Sequence, residues 1–215
     1  MKTILAFGDS LTHGANPQPG GPRHDYEDRW PTTLEKGLGG RARVIAEGQG
    51  GRTTVFDDWF ANGDRNGARI LPTLLESHSP LDLIIIMLGT NDLKPIHGHT
   101  AREAGRGMAR LVQIIRSHYA ARRETEPKII LVAPPAITDT DNQDMIQHFG
   151  GHGMIAESEN FPMHYQRHAR ELGTGFFDAA TVAKADPRDG VHLDPANTRA
   201  IGEGLVPLVK STLAI

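Results

Sequence analysis

A serine stands at position 10 in the run Phe7-Gly8-Asp9-Ser10-Leu11, where a short apolar stretch gives way to a glycine-punctuated loop. A serine hydroxyl is a poor nucleophile at neutral pH. It needs a base to take its proton, an acid to orient that base, and donors to hold a developing oxyanion. Three later segments supply residue types of that kind: Gly50-Gly51-Arg52-Thr53, Gly89-Thr90-Asn91-Asp92 and Asp189-Gly190-Val191-His192. Together they point to hydrolase chemistry.

His192 is the candidate base, because a neutral imidazole can accept the serine proton near neutrality and return it to a leaving group. With eleven histidines in the chain, a histidine alone says little. His192 is singled out by Asp189, three residues earlier in a glycine-containing turn. From there the carboxylate can reach the ring Nδ1–H and leave Nε2 toward Ser10. Asp178, Asp186 and Asp194 are rival acids. Asn91 and Gly51 are the candidate oxyanion donors: an Asn amide offers two N–H groups that do not titrate, and a residue without Cβ lets a substrate approach its backbone closely. Gly50 could exchange roles with Gly51. The Ser10 amide, at the start of a helical turn, is a third donor. Taken singly, each of these residues could be a turn former or a cap. Their convergence depends on the elements that carry them.

Four segments read as buried strands, Thr3–Phe7, Arg43–Glu47, Leu83–Leu88 and Lys128–Ala133, with a weaker fifth at Thr174–Asp178. The runs Leu83-Ile84-Ile85-Ile86-Met87-Leu88 and Ile129-Ile130-Leu131-Val132 are continuous, not alternating, as in strands covered on both faces. Helices fit between them. One runs from Pro31 to about Leu38, and another over Ala68–Ser77 despite Pro72. A third starts after Thr100, where Thr100 and Glu103 have capping-box spacing; Ala104, Met108, Leu111, Val112, Ile115 and Tyr119 share one of its faces. A fourth spans about Met154–Leu172. The last begins at Asp194-Pro195, with Ile201, Leu205, Leu208 and Val209 inward and Pro207 expected to kink or shorten it. Strands alternating with helices imply a three-layer α/β/α sandwich around a five-stranded parallel sheet of order 2-1-3-4-5. Ser10, Gly51 and Asn91 then follow strands one, two and three, on the carboxyl rim where ligands bind in such sheets.

At 215 residues, 38% hydrophobic and 23% charged, the chain suits one domain over residues 1–215. A formal charge of −3 argues against nucleic acid or an anionic membrane as a partner. Arg116, Arg122 and Arg123 fall near a helix end, where they complement its dipole. Zero cysteines exclude a disulfide framework, a thiolate nucleophile and a thiolate metal site. No apolar run approaches the ~18 residues of a membrane span. Ile4-Leu5-Ala6-Phe7 is too short for a signal-peptide core, so a cytoplasmic protein is expected. The pairs His97/His99 and His164/His168 have metal-like spacing but lack an HExxH pattern or a third ligand, and no metal or cofactor is expected. Gly37-x-Gly39-x-x-Ala42 and Gly151-x-Gly153-x-x-Ala156 spell a dinucleotide pattern without the preceding strand that phosphate binding requires.

The blocks Gly8-Asp9-Ser10-Leu11, Gly51, Gly89-Thr90-Asn91-Asp92 and Asp189-x-x-His192 resemble the four signature blocks of the SGNH (GDSL) hydrolase family, and the match spans nearly the whole chain. The resemblance implies a flavodoxin-like fold and a metal-independent serine esterase mechanism. It makes Ser10 the nucleophile, Gly51 and Asn91 oxyanion donors, Asp189 the acid and His192 the base. Glu47-Gly48 with Arg52-Thr53-Thr54, and the run from Ile85 to Asp92, are similar to the small bacterial arylesterase and acyltransferase (perhydrolase) group. Those relatives tend to be homo-oligomers whose partner loops narrow the site. The expected substrate is a small-molecule ester, a short-acyl aryl, alkyl or sugar ester, with alcohol or peroxide as competing acceptor in some relatives. A thioesterase or lysophospholipase on the same scaffold, or a catalytically silent ligand-binding module, are the alternatives. Asn16–Trp30 and Pro134–Glu159 are loop-rich and expected to wall the pocket, and Trp30, Trp59, Phe149 and Phe161 are aromatic candidates for pocket, core or interface.

Overall fold

A computed structural model describes residues 1–98 and 100–215. Five parallel strands, β1 (Lys2–Gly8), β2 (Ala42–Gly48), β3 (Leu83–Met87), β4 (Lys128–Ala133) and β5 (Gly175–Asp178), form one sheet in the order β2-β1-β3-β4-β5. The helices are α1 (Ser10–His13), α2 (Trp30–Gly37), α3 (Gly67–His78), α4 (Ala101–Arg122), α5 (Gln143–His148), α6 (Gly153–Glu159), α7 (Phe161–Leu172) and α8 (Pro195–Leu213).

Period-two geometry sends neighbouring residues of each strand into different cores. Leu5, Phe7, Ile84, Ile86 and Leu131 pack with α3, α4 and α7; Ile4, Ala6, Ile85, Met87 and Val132 pack with α2 and α8. This explains why β3, Leu-Ile-Ile-Ile-Met, is apolar throughout: all five of its residues are buried. On α4 the six apolar residues of the sequence pattern are all buried, and the Thr100–Glu103 capping box forms. Arg116 and Arg122 pair with Glu126 and Glu76 near the end of this helix, and Arg123 caps it in the left-handed conformation. Gly202 lets α8 lie close on α2, since a Cβ there would stand 2.5 Å from the Trp30 carbonyl oxygen.

The structure differs from the sequence expectation in two helices. The stretch 154–172 is two helices, divided at Asn160, because Pro162 has no N–H to continue a ladder and suits a first turn instead. Pro207 does not shorten α8, which runs on to Leu213. Pro207 is exposed, so water can satisfy the carbonyl it orphans.

Candidate active site

The strand order brings the ends of β1, β2 and β3 side by side, and each end is followed by one of the predicted blocks. After β1, Asp9 caps the single turn α1 by accepting from the Leu11 amide at 2.9 Å, which leaves Ser10 as the first helical residue. After β2, Gly51 takes a φ of +79°, a left-handed conformation that suits glycine. After β3, Gly89 (φ +126°) turns the chain into a 3₁₀ turn, Thr90–Leu93, that carries Asn91. Asn91 knots the three together: its Nδ2 donates to Asp9 Oδ2 at 3.3 Å and to the Arg52 carbonyl at 3.2 Å. The amides of Ser10 and Gly51 donate to no other group among the described residues.

The fourth block lies on the turn before α8. Asp189 is 6% exposed, and its Oδ1 accepts from the amides of Val191 (2.9 Å) and His192 (2.8 Å). Its Oδ2 lies 2.6 Å from His192 Nδ1. Two backbone donors thus fix the carboxylate before it meets the ring. The rival acids are engaged elsewhere: Asp178 caps a 3₁₀ turn at Ala180, Asp186 binds Arg188, and Asp194 caps α8 through Asn197. Among the described residues the Ser10 hydroxyl makes no hydrogen bond, to His192 or to any other group. Bonds between nucleophile and base are often loose in free enzymes and tighten when substrate binds.

Sequence reasoning quoted Arg52 and Asp92 within its blocks but gave no role to the residues that hold this rim. Arg52 donates to the carbonyls of Gly8 (2.8 Å) and Glu47 and to Gln49 Oε1 (3.2 Å), and its guanidinium lies 4.5 Å from the centre of the Phe7 ring. Burial pushes its pKa down to about 10. Asp92 accepts from the Thr54 amide at 2.8 Å and from the Thr54 hydroxyl, tying the β3 turn to the segment after Gly51. The signals were an arginine directly after Gly50-Gly51 and a second acid beside Asn91. The His24 ring nitrogen Nε2 sits 2.7 Å from the Leu193 carbonyl oxygen, anchoring the loop after α1 to the residue next to His192.

Burial raises both rim carboxylic acids, Asp9 to about 6 and Asp92 to about 7. A carboxyl group whose pKa is raised on folding stabilises fully below its unfolded pKa, and that contribution is lost as pH rises through the folded value. For Asp92 the window runs from about 4 to about 7. Asp92→Asn should therefore flatten the decline of melting temperature with pH across that window; a slope equal to the parent's would show that Asp92 does not titrate there.

The aromatic candidates divide. Trp30 and Phe161 are fully buried, and Trp30 donates to Thr12 Oγ1 at 3.2 Å, so both belong to the core. Phe149 is 5% exposed and packs with the core on the α4 side, and Trp59 is 83% exposed. His97 stacks on Phe56, His168 meets Glu171 on α7, and His99 lies outside the described residues. Among the described residues no group of three or more His, Asp or Glu side chains could hold a metal ion, and no helix is long and apolar enough to cross a membrane. The loop after α1 and the start of α5 enclose a cavity of about 480 Å³ that reaches His192 and Asp189.

The sequence matches the GDSL-like lipase/acylhydrolase family over residues 6–199. Among solved structures, a carbohydrate acetylesterase family member from Sinorhizobium meliloti is 49% identical, with a TM-score of 0.95 and full coverage of both chains. A candidate arylesterase from Agrobacterium tumefaciens is 49% identical with a TM-score of 0.92, covering 99% of this chain and 100% of its own. The aryl esterase of M. smegmatis is 36% identical with a TM-score of 0.92 and the same coverage. No curated protein matches the chain.

Proposed function

The chain belongs to the GDSL-like lipase/acylhydrolase family, and from that membership we propose that it hydrolyses short-acyl carboxylic esters, acetates above all, through an acyl-Ser10 intermediate. The supporting observation is the Asp189–His192 pair, in which Nδ1 faces a carboxylate already held by two amides. With its proton kept on Nδ1, the ring can present Nε2 as a base. Ser10 Oγ attacks the ester carbonyl carbon as its proton passes to Nε2. The amides of Ser10 and Gly51 receive the oxyanion, and Asn91 Nδ2 shares a hydrogen from its two long bonds. Collapse breaks the C–O bond, and His192 protonates the departing alcohol. Water then attacks the acyl-serine by the same route, releasing the acid and restoring Ser10. An alcohol or peroxide in place of that water would give acyl transfer.

The alcohol side faces the 480 Å³ cavity, where Asn16, Gln18, Arg23, Asn142 and Asp144 stand around His192. These polar groups, set in a lining that is mostly apolar, can bind the hydroxyls of a sugar alcohol, which supports acetylated sugars as the natural class, in keeping with the relatives named carbohydrate acetylesterases. The test is release of p-nitrophenol from its acetate together with covalent labelling by a fluorophosphonate. A protein that folds yet shows neither, and does not deacetylate acetylated sugars, would overturn the reading.

We propose in addition that the protein works as a homo-oligomer. Trp59 and Phe60, 83% and 87% exposed, stand side by side next to Asp58, one of the acids that act on Lys94 beside the rim. Apolar pairs this exposed commonly mark contact surfaces. Light scattering should give a mass above the 23.4 kDa of one chain, falling to that value when both are changed to serine; a monomeric parent would refute it.

A further inference from the structure

Two cations beside the oxyanion donors have no task in the mechanism above. Lys94 follows Asn91 by three residues and is 6% exposed. Its ammonium lies 5.8 Å from the centre of the Phe149 ring. Among the described residues it has no hydrogen bond, and no carboxylate comes within the 4.0 Å of an ion pair. Arg65 is half-buried, and its Nε lies 3.1 Å from where a Gly51 Cβ would stand. Its guanidinium likewise has no hydrogen bond or ion pair among the described residues.

Glu47 acts on Arg52 and binds His78, so few carboxylates are left to answer Lys94 and Arg65. Asp58 and Asp9 are the carboxylates that act on Lys94, while Arg65 opposes it and Arg52 adds a third positive charge nearby. Asp58 accepts from the Phe60 amide, and Asp9 is held by Leu11 and Asn91. His148 faces both Lys94 and Asp58. A mostly buried ammonium whose partners are a ring face and carboxylates beyond ion-pair distance is poorly compensated. Such a group gains most when a ligand brings the missing charge.

We infer that Lys94 and Arg65 form an anion subsite on the oxyanion side of the centre, one that takes an acyl group ending in a carboxylate. The alcohol has its own cavity on the His192 side, so the group reaching Lys94 and Arg65 is the acyl chain. The substrate class is the half-ester of a short dicarboxylic acid. This inference rests on the esterase reading and refines it. Ser10 forms the acyl-enzyme as the alcohol leaves, and water releases the dicarboxylate and restores the hydroxyl.

The experiment compares monoethyl succinate with ethyl butyrate, which match in leaving group and nearly in length, by titrating the acid released. The parent enzyme should show the higher kcat/KM for the succinate, and added salt should reduce that advantage. Lys94→Met and Arg65→Gln should each lower the succinate-to-butyrate ratio about tenfold. Lys128→Gln, at the opposite end of the sheet, should leave it unchanged. A parent that favours butyrate, or a ratio that stays the same in either site variant, overturns the subsite. Loss of p-nitrophenyl acetate turnover in the parent would instead overturn the esterase reading.

Discussion

Ser10→Ala should lower turnover of p-nitrophenyl acetate by ~10³-fold or more while the melting temperature stays near that of the parent. That factor corresponds to about 4 kcal/mol of lost transition-state stabilisation. Folding should survive because the Ser10 hydroxyl makes no hydrogen bond among the described residues. The cap of α1 is built by Asp9 and Leu11 instead. The residual rate should come from binding and from the amides of residues 10 and 51, which the substitution keeps. The variant should also resist fluorophosphonate labelling. Parent-like turnover in a folded Ser10→Ala protein would remove Ser10 from the reaction.

Asp189→Asn should cost about 10³–10⁴ in kcat, with little change in KM. The amides of Val191 and His192 both donate to Oδ1, so the Asn oxygen must take that position. The Asn NH₂ then faces His192 Nδ1. A donor there requires Nδ1 to be the acceptor and moves the ring proton to Nε2, where the ring cannot take a proton from serine. The fold should tolerate the change, since both backbone bonds persist. Steady-state kinetics at matched melting temperature would check this; a loss under tenfold would show that Asp189 does not set the tautomer.

The parts of this molecule that follow local rules were readable in the sequence. The run from Leu83 to Met87 announces a strand covered on both faces. Once the strands were placed, the carboxyl rim of a parallel sheet had to collect the segments holding Ser10, Gly51 and Asn91. What was not readable depends on partners that leave no mark in the sequence. Arg52 bonds to the backbone carbonyls of Gly8 and Glu47, and any residue type could have supplied those acceptors. Lys94 looks like a solvated loop residue until the fold brings Phe149 over it from 55 positions away. Pro207 misled because its cost depends on exposure, which no helical pattern reports. The Asn91 amide, expected to point at substrate, also proved to tie Asp9 to Arg52.

That tie bears on attempts to change what the protein accepts. The knot of Asp9, Arg52 and Asn91 holds three strand ends at once, so a substitution there would disturb the carboxyl rim from several directions. The segments around Asn16–Gly21 and Asn142–Met145 enclose the cavity beside His192, with Asn142 also capping α5 and Met145 resting on the core. Directed evolution toward bulkier alcohols should therefore diversify those two segments and leave the knot untouched.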